Sequence, residues 1–107
     1  MERELQIQNR LGLHARTASD FARCAARFES TIQIEMEGRR ISARSAMDIL
    51  EAGLAFDRRF KLIADGPDAE VAIRALEIYL RHLAQIDHQD PTQFRSYRMQ
   101  RAEQVVD

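Results

Sequence analysis

Apolar residues recur along this chain with two different periods. "ELQIQN" sets Leu5 and Ile7 between polar neighbours, and "STIQIEM" does the same with Ile32, Ile34 and Met36. "RFKLIAD" alternates Phe60, Leu62 and Ala64, and "RISA" is a shorter run of the same kind. Each predicts a half-buried strand. Elsewhere the spacing is helical. Ala18, Phe21, Ala22, Ala25 and Phe28 form one stripe and predict a helix from Ala15 to Phe28. Arg16, Asp20, Arg23 and Arg27 fall on its opposite face, with Arg16/Asp20 and Asp20/Arg23 spaced to pair weakly. Ala69, Ala72, Ile73, Leu76, Leu80 and Leu83 form a second stripe, with Pro67 near its start. "SAMDILEAGL" reads as a brief helix: Ser45 at the N-cap, Asp48 at the third position, Gly53 past the end. Gly12 marks a turn in "RLGL", and Gly38 in "EGRR" sits where a hairpin needs positive φ.

The resulting order is β-α-β-β-α-β-α. Strands and helices with one apolar face each fit a two-layer α+β sandwich. The helices cover one face of an antiparallel sheet and leave the other wet.

Composition narrows the class. The 107 residues fit one domain, and 45% hydrophobic with 31% charged residues is ordinary for a soluble protein. The net charge of -1 gives no global basic field for nucleic acid. No apolar run is long enough to span a membrane, and "MERELQIQNR" lacks a secretory core, so no membrane insertion is expected. Cys24 is the single cysteine, which leaves no internal disulfide and fits the cytoplasm. It lies beside the first apolar stripe and reads as a small packed hydrophobe. His82 and His88 are six apart, off the spacing that puts two metal ligands on one helical face, so no metal and no cofactor are expected. The doublets Arg39/Arg40 and Arg58/Arg59 read as solvated strand ends.

The pattern changes after Leu83. We divide the chain into a domain over residues 1–85 and an extension over 86–107. In the extension "DPTQ" reads as a helix start, with Asp90 as cap, Pro91 first and Gln93 third, and Phe94, Tyr97, Arg98 and Arg101 following. A frayed tail is the plainer reading of the same residues.

The chemistry concentrates in "RLGLHARTAS". The first N–H groups of a helix have no internal partners, and with the macrodipole they favour anions. With His14 as N-cap, the amides of Ala15, Arg16 and Thr17 point at its ring. The same field disfavours imidazolium, and a neutral imidazole is a nucleophile. Arg16 adds a charge-assisted contact to whatever anion is captured. These parts suit reversible attachment of a phosphoryl group to a ring nitrogen. The alternative is a histidine that caps or packs and does nothing else, although Ser, Thr, Asn and Asp cap better.

"NRLGLHARTASDFARCAARFES" resembles the active-site region of HPr, the histidine-containing phosphocarrier family of the bacterial sugar phosphotransferase system. "EGRRISARSAMDILEAGL" and "FKLIADGPDAEVAIRALEIYL" resemble that family's serine-bearing helix region and its last strand, turn and helix. The resemblance runs from about residue 4 to residue 83. It implies an open-faced β-sandwich, with three helices on one face of a four-stranded antiparallel sheet. It implies that His14 is phosphorylated on Nδ1 by enzyme I from phosphoenolpyruvate, with Arg16 beside it, and that an enzyme II A-type domain or a regulatory protein accepts the group. Ser45 corresponds to the serine that an ATP-dependent HPr kinase/phosphorylase modifies in some bacteria; a plain helix cap is the competing reading. Met47 and Leu50 lie in the family's docking patch, and we expect one of them to dock and the other to anchor the core.

Two departures stand out. Thr17 occupies the family's usual proline, restoring an amide and adding a hydroxyl; this either gives the phosphate another donor or lets the first turn relax. Ala46 replaces a larger apolar residue. A regulatory protein of the same fold, binding partners according to phosphorylation of His14 or Ser45 without feeding transport, is the rival function. An RNA-binding module is disfavoured by charge and by the lack of strand aromatics. A conventional enzyme is disfavoured because no paired general base, metal site or Gly-rich loop with lysine is present.

Overall fold

The computed structural model describes residues 1–87. The expected helix start at Asp90 and the residue His88 lie outside these. Seven elements follow in the expected order: β1 (Glu2–Gln6), α1 (Ala15–Ala25), β2 (Thr31–Met36), β3 (Arg39–Ser42), α2 (Ala46–Ala52), β4 (Arg59–Asp65) and α3 (Ala69–Asp87). The strands form one antiparallel sheet in the order β1-β4-β2-β3. The three helices cover one face, so the fold is the α+β open-faced sandwich.

Alternation decides which face is which. Phe60, Leu62 and Ala64 of β4 are buried beneath the helices with Ile32 and Ile34 of β2. Their neighbours point the other way, where Lys61 pairs with Glu2 at 3.7 Å and Glu35 at 3.8 Å. From the helices, Ala18, Phe21, Ala22 and Ala25, Ile49, and Ala72, Ile73, Leu76 and Leu80 complete the core. Burying a Phe, Ile or Leu side chain contributes roughly 1.5–3 kcal/mol, so this continuous layer is the main stabilising term. β2 and β3 are joined by a two-residue turn in which Glu37 (φ 53°) and Gly38 (φ 77°) are both left-handed, the form that matches strand twist.

Several boundaries differ from expectation. β1 begins at Glu2 and ends before Ile7, because it follows its pairing with β4 from Ile63 to Arg59 rather than its own apolar run. α1 ends at Ala25. Arg44 donates from Nη2 to the carbonyls of Phe28 and Ser30 and draws the chain out of the helix, while Phe28 still packs on the core. The Arg16/Asp20 and Asp20/Arg23 pairs do not form. Asp20 instead faces α3, where the Tyr79 hydroxyl donates to its Oδ2 at 3.5 Å. Burial, with Asp20 behind it, pushes the Tyr79 hydroxyl up to about 12. The Cys24 thiol is half-buried and likewise pushed up, first by burial.

The end of the molecule remote from His14 is closed by Asp68. Its carboxylate accepts from the Ser30 hydroxyl and from the backbone N–H groups of Glu29 and Ser30, both at 2.9 Å. The Ser30 hydroxyl first, then the Glu29 amide, holds the carboxyl below the usual carboxylate range. A depressed acid stabilises the fold above its unfolded value, and that contribution is lost as pH falls through the folded one. The expected result is that Asp68→Asn melts below the unaltered protein at neutral pH, and that the two melting temperatures converge as pH falls past the ordinary carboxylate range. Parallel melting curves across that range would remove Asp68 as a source of the acid sensitivity.

Candidate functional site

The local sequence builds the site in three steps. Asn9 is buried, and its side-chain Nδ2 donates to the Gly12 carbonyl at 2.8 Å, while the Gly12 N–H donates to the Asn9 carbonyl at 3.0 Å. These bonds curl residues 9–12 into a tight turn. Gly12 takes φ +62° and lies flat on the chain that follows α2: an added Cβ would sit 2.5 Å from the Leu54 carbonyl oxygen and 2.8 Å from the Ala55 Cα. The Leu13 N–H then donates to the Leu54 carbonyl at 2.9 Å. Residue 14 thus leaves a fixed platform and enters α1.

That platform is itself tied down. The Ile7 N–H donates to the Arg58 carbonyl at 2.9 Å, and the Asp57 N–H donates to the Ile7 carbonyl at 2.7 Å. The Gln6 side chain donates to Asp57 Oδ1 at 2.6 Å. Arg58 reaches Gly53 O at 3.4 Å and pairs with Glu37 at 2.6 Å. This arginine is therefore a brace and not one of the solvated strand ends that the doublets were expected to form.

His14 is the N-cap of α1, in extended conformation (φ -99°, ψ -174°), and its side chain is exposed. The ring faces the Thr17 backbone N–H as half of a capping box without closing a hydrogen bond to it. The other half is made: the His14 N–H donates to Thr17 Oγ1 at 3.0 Å. The Thr17 hydroxyl is thus engaged with the main chain, while the Thr17 amide stays without a hydrogen bond to the His14 ring. Arg16 is exposed in the first turn and forms no ion pair among the described residues. The first turn also holds no acidic residue. A cation at a helix N-terminus opposes the macrodipole. The site is therefore electrostatically uncompensated, and an arriving dianion satisfies both the amides and Arg16.

Ser45 caps α2, accepting from the Asp48 N–H at 3.1 Å, and Gly53 ends that helix at φ 69°, both as the residue types imply. α2 runs about 10 Å from Ser45 to the end that supports Gly12, so the structure does not put Ser45 in the His14 turn. The split of roles between Met47 and Leu50 is wrong. Both are exposed, at 67% and 38%, and Ile49 between them is the anchor, fully buried. Ile49 lies on the inward side with Ala46, one turn before it, while Met47 and Leu50 fall outside that side. Leu11 and Phe56 are also exposed, on the turn and the platform that flank His14. Sequence reading missed both, along with Asn9. Only a large apolar residue in a polar loop could have flagged Phe56.

Among the described residues no cluster of His, Cys, Asp and Glu could hold a metal ion, and no helix is long and apolar enough to cross a membrane. A cleft of about 470 Å³ lies between β1 and α3 and is lined by Gln8, Arg59, Glu77 and Arg81, away from His14. Among the described residues nothing encloses a substrate at the imidazole, which leaves the ring open to another protein's surface.

Residues 1–82 match the family described as the PTS HPr component phosphorylation site. The chain is 33% identical over 76 residues to the phosphocarrier protein HPr of Cupriavidus necator, covering 71% of this chain and 85% of that one. It is 31% identical over 80 residues to the HPr-like protein Crh of Halalkalibacterium halodurans, covering 75% and 95%. The crystal structure of an HPr from Thermoanaerobacter tengcongensis superposes with a TM-score of 0.75 at 35% identity, covering 79% of this chain and 96% of that one. With His14 at the head of α1 and the sheet and helices in this order, the chain belongs to the HPr family of phosphocarrier proteins of the phosphotransferase system.

Proposed function

We propose that this protein carries a phosphoryl group on His14, taken from phosphoenolpyruvate through enzyme I and passed to an enzyme II A-type domain or a regulatory acceptor. A ring nitrogen, Nδ1 by analogy with the family, attacks the phosphorus of the donor's phosphohistidine. The new P–N bond forms as the donor's breaks, and the sequence reverses at the acceptor. Arg16 and the first amides of α1, Thr17 included, compensate the charge while it rests on the carrier. Positioning and charge compensation are most of what such a transfer needs.

The observation that carries this reading is the exposed His14 at an N-terminal turn that holds no acid and whose Arg16 forms no ion pair among the described residues. Docking by exposed apolar residues around it, Met47 and Leu50 with Leu11 and Phe56, suits brief encounters of small area. We assign the carrier function to residues 1–85, and we place the protein in the cytoplasm with its partners.

A second reading is a regulator that binds partners according to phosphorylation of His14, or of Ser45 by an HPr kinase/phosphorylase. Similarity to a Crh protein and the threonine at position 17 favour it. One assay addresses both. Incubation with phosphoenolpyruvate and the cognate enzyme I is expected to give an acid-labile adduct by intact mass. Its discharge onto an A-type domain supports the transport carrier, and an adduct that is never passed on supports the regulator. A folded protein that takes up no phosphoryl group overturns the carrier reading.

A further inference from the structure

We propose that the Thr17 hydroxyl is a positioning group for His14, clamping its main chain so that the ring stays over the first amides of α1. The inference rests on the carrier reading above. Thr17 Oγ1 accepts from the His14 N–H at 3.0 Å and lies 3.3 Å from the His14 carbonyl oxygen, to which it donates. One hydroxyl therefore grips both peptide groups of a single residue. The His14 carbonyl is held a second time by the Ala18 N–H at 2.7 Å, but among the described residues the His14 N–H has only Thr17.

The physical consequence concerns the backbone of residue 14. Its extended conformation (φ -99°, ψ -174°) is what turns Cβ back across the helix start and brings the ring to face the Thr17 amide. A residue at the N-cap is the last before the helical ladder begins, and nothing in the ladder fixes its φ. His14 is exposed, so water competes for its N–H. A hydroxyl on the third helical residue reaches that N–H at no cost to the helix, in the way a capping-box side chain does. A shift of the ring by about 1 Å can cost as much as 10²-fold in a transfer that depends on alignment.

The test compares Thr17→Val, which keeps shape and amide but has no hydroxyl, with Thr17→Ser, which restores it. Potassium phosphoramidate serves as donor, so no partner enzyme is needed and the result is separate from that of the assay with enzyme I. The ring nitrogen forms a P–N bond as the P–N bond to ammonia breaks, and the departing ammonia takes up the ring proton. Exposed His82 reacts in the same tube and is the reference. Relative to His82, Thr17→Val is expected to phosphorylate His14 about tenfold more slowly. Its His14 amide is expected to exchange with solvent five- to tenfold faster, the factor a lost hydrogen bond of about 1 kcal/mol implies. Thr17→Ser should match the unaltered protein on both, with core amides such as Leu62 unchanged in all three. Equal rates for Thr17→Val and the unaltered protein overturn the proposal. So does faster exchange without slower phosphorylation, because the clamp then holds the chain without placing the ring.

Discussion

His14→Ala is expected to abolish the acid-labile phosphoryl adduct while leaving the fold nearly as stable. The chemical half of this follows from the site. Among the described residues the only other imidazole is His82, exposed on the surface of α3, and neither a capping turn nor an arginine of α1 belongs to it. The stability half follows from how little the ring does for the fold. Replacing a good N-cap side chain by alanine costs about 1 kcal/mol, but that figure reflects a side-chain hydrogen bond, and the His14 ring closes none. The contacts that hold this position are backbone ones: the His14 N–H to Thr17, and the His14 carbonyl to the Ala18 N–H. Alanine keeps both. We expect the melting temperature to move by less than about 4 °C and the adduct formed with phosphoenolpyruvate and enzyme I to vanish from the intact mass. An adduct of undiminished yield in His14→Ala would move the chemistry to another histidine. A variant that fails to fold would show that the ring is a structural cap after all.

Gly12→Ala should produce the opposite pattern, a severe loss of stability from a residue that takes no part in the chemistry. A side chain at φ +62° costs about 1–2 kcal/mol by its left-handed backbone alone. The methyl group would also arrive 2.5 Å from the Leu54 carbonyl oxygen and 2.8 Å from the Ala55 Cα, both main-chain atoms that cannot swing aside. Such overpacking adds about 1–3 kcal/mol. Relief would require the 9–13 turn to lift from the platform, which breaks the bond from Leu13 N–H to Leu54 O and carries His14 with it. The sum, about 2–5 kcal/mol, is a large share of the stability of a domain this size. It predicts a fall in melting temperature of about 10–20 °C, with phosphoryl uptake reduced about 10²-fold in whatever remains folded. Gly53 is the control. It also has positive φ (69°), but nothing lies within 4 Å of an added Cβ. Gly53→Ala should therefore lose only the strain. If the two variants melt together, the contact with residues 54–55 contributes nothing, and the platform does not hold the site.

These two substitutions also mark what could be read in advance. Turn glycines at 12, 38 and 53 are visible as residue types, and all three take positive φ. Nothing in the chain's order says that one of them is pressed against a backbone forty residues away while the others face open space. The same holds for the arginines: Arg58 and Arg59 are neighbours of one type, yet only Arg58 braces the platform. For α2, the periodicity of seven residues was too short to separate inward from outward positions. Only packing against α1 and the sheet showed Ile49 to be the anchor.

What the sequence determined by itself is local. Period-2 and period-3.6 spacing set the elements and their order, because side-chain direction follows from backbone geometry within a few residues. Ser45, Asp48 and Gly53 set the ends of α2 for the same reason. The placement of His14 as a helix cap was legible because a cap and the amides it faces lie within four residues of one another. The remaining features join distant segments: the strand order, the support of Gly12 by Leu54 and Ala55, the clamp of Asp68 on Glu29 and Ser30, and Tyr79 on Asp20. Each depends on which faces meet when the apolar stripes are buried together. That is settled by the packing of the whole core, and no stretch of sequence carries it alone.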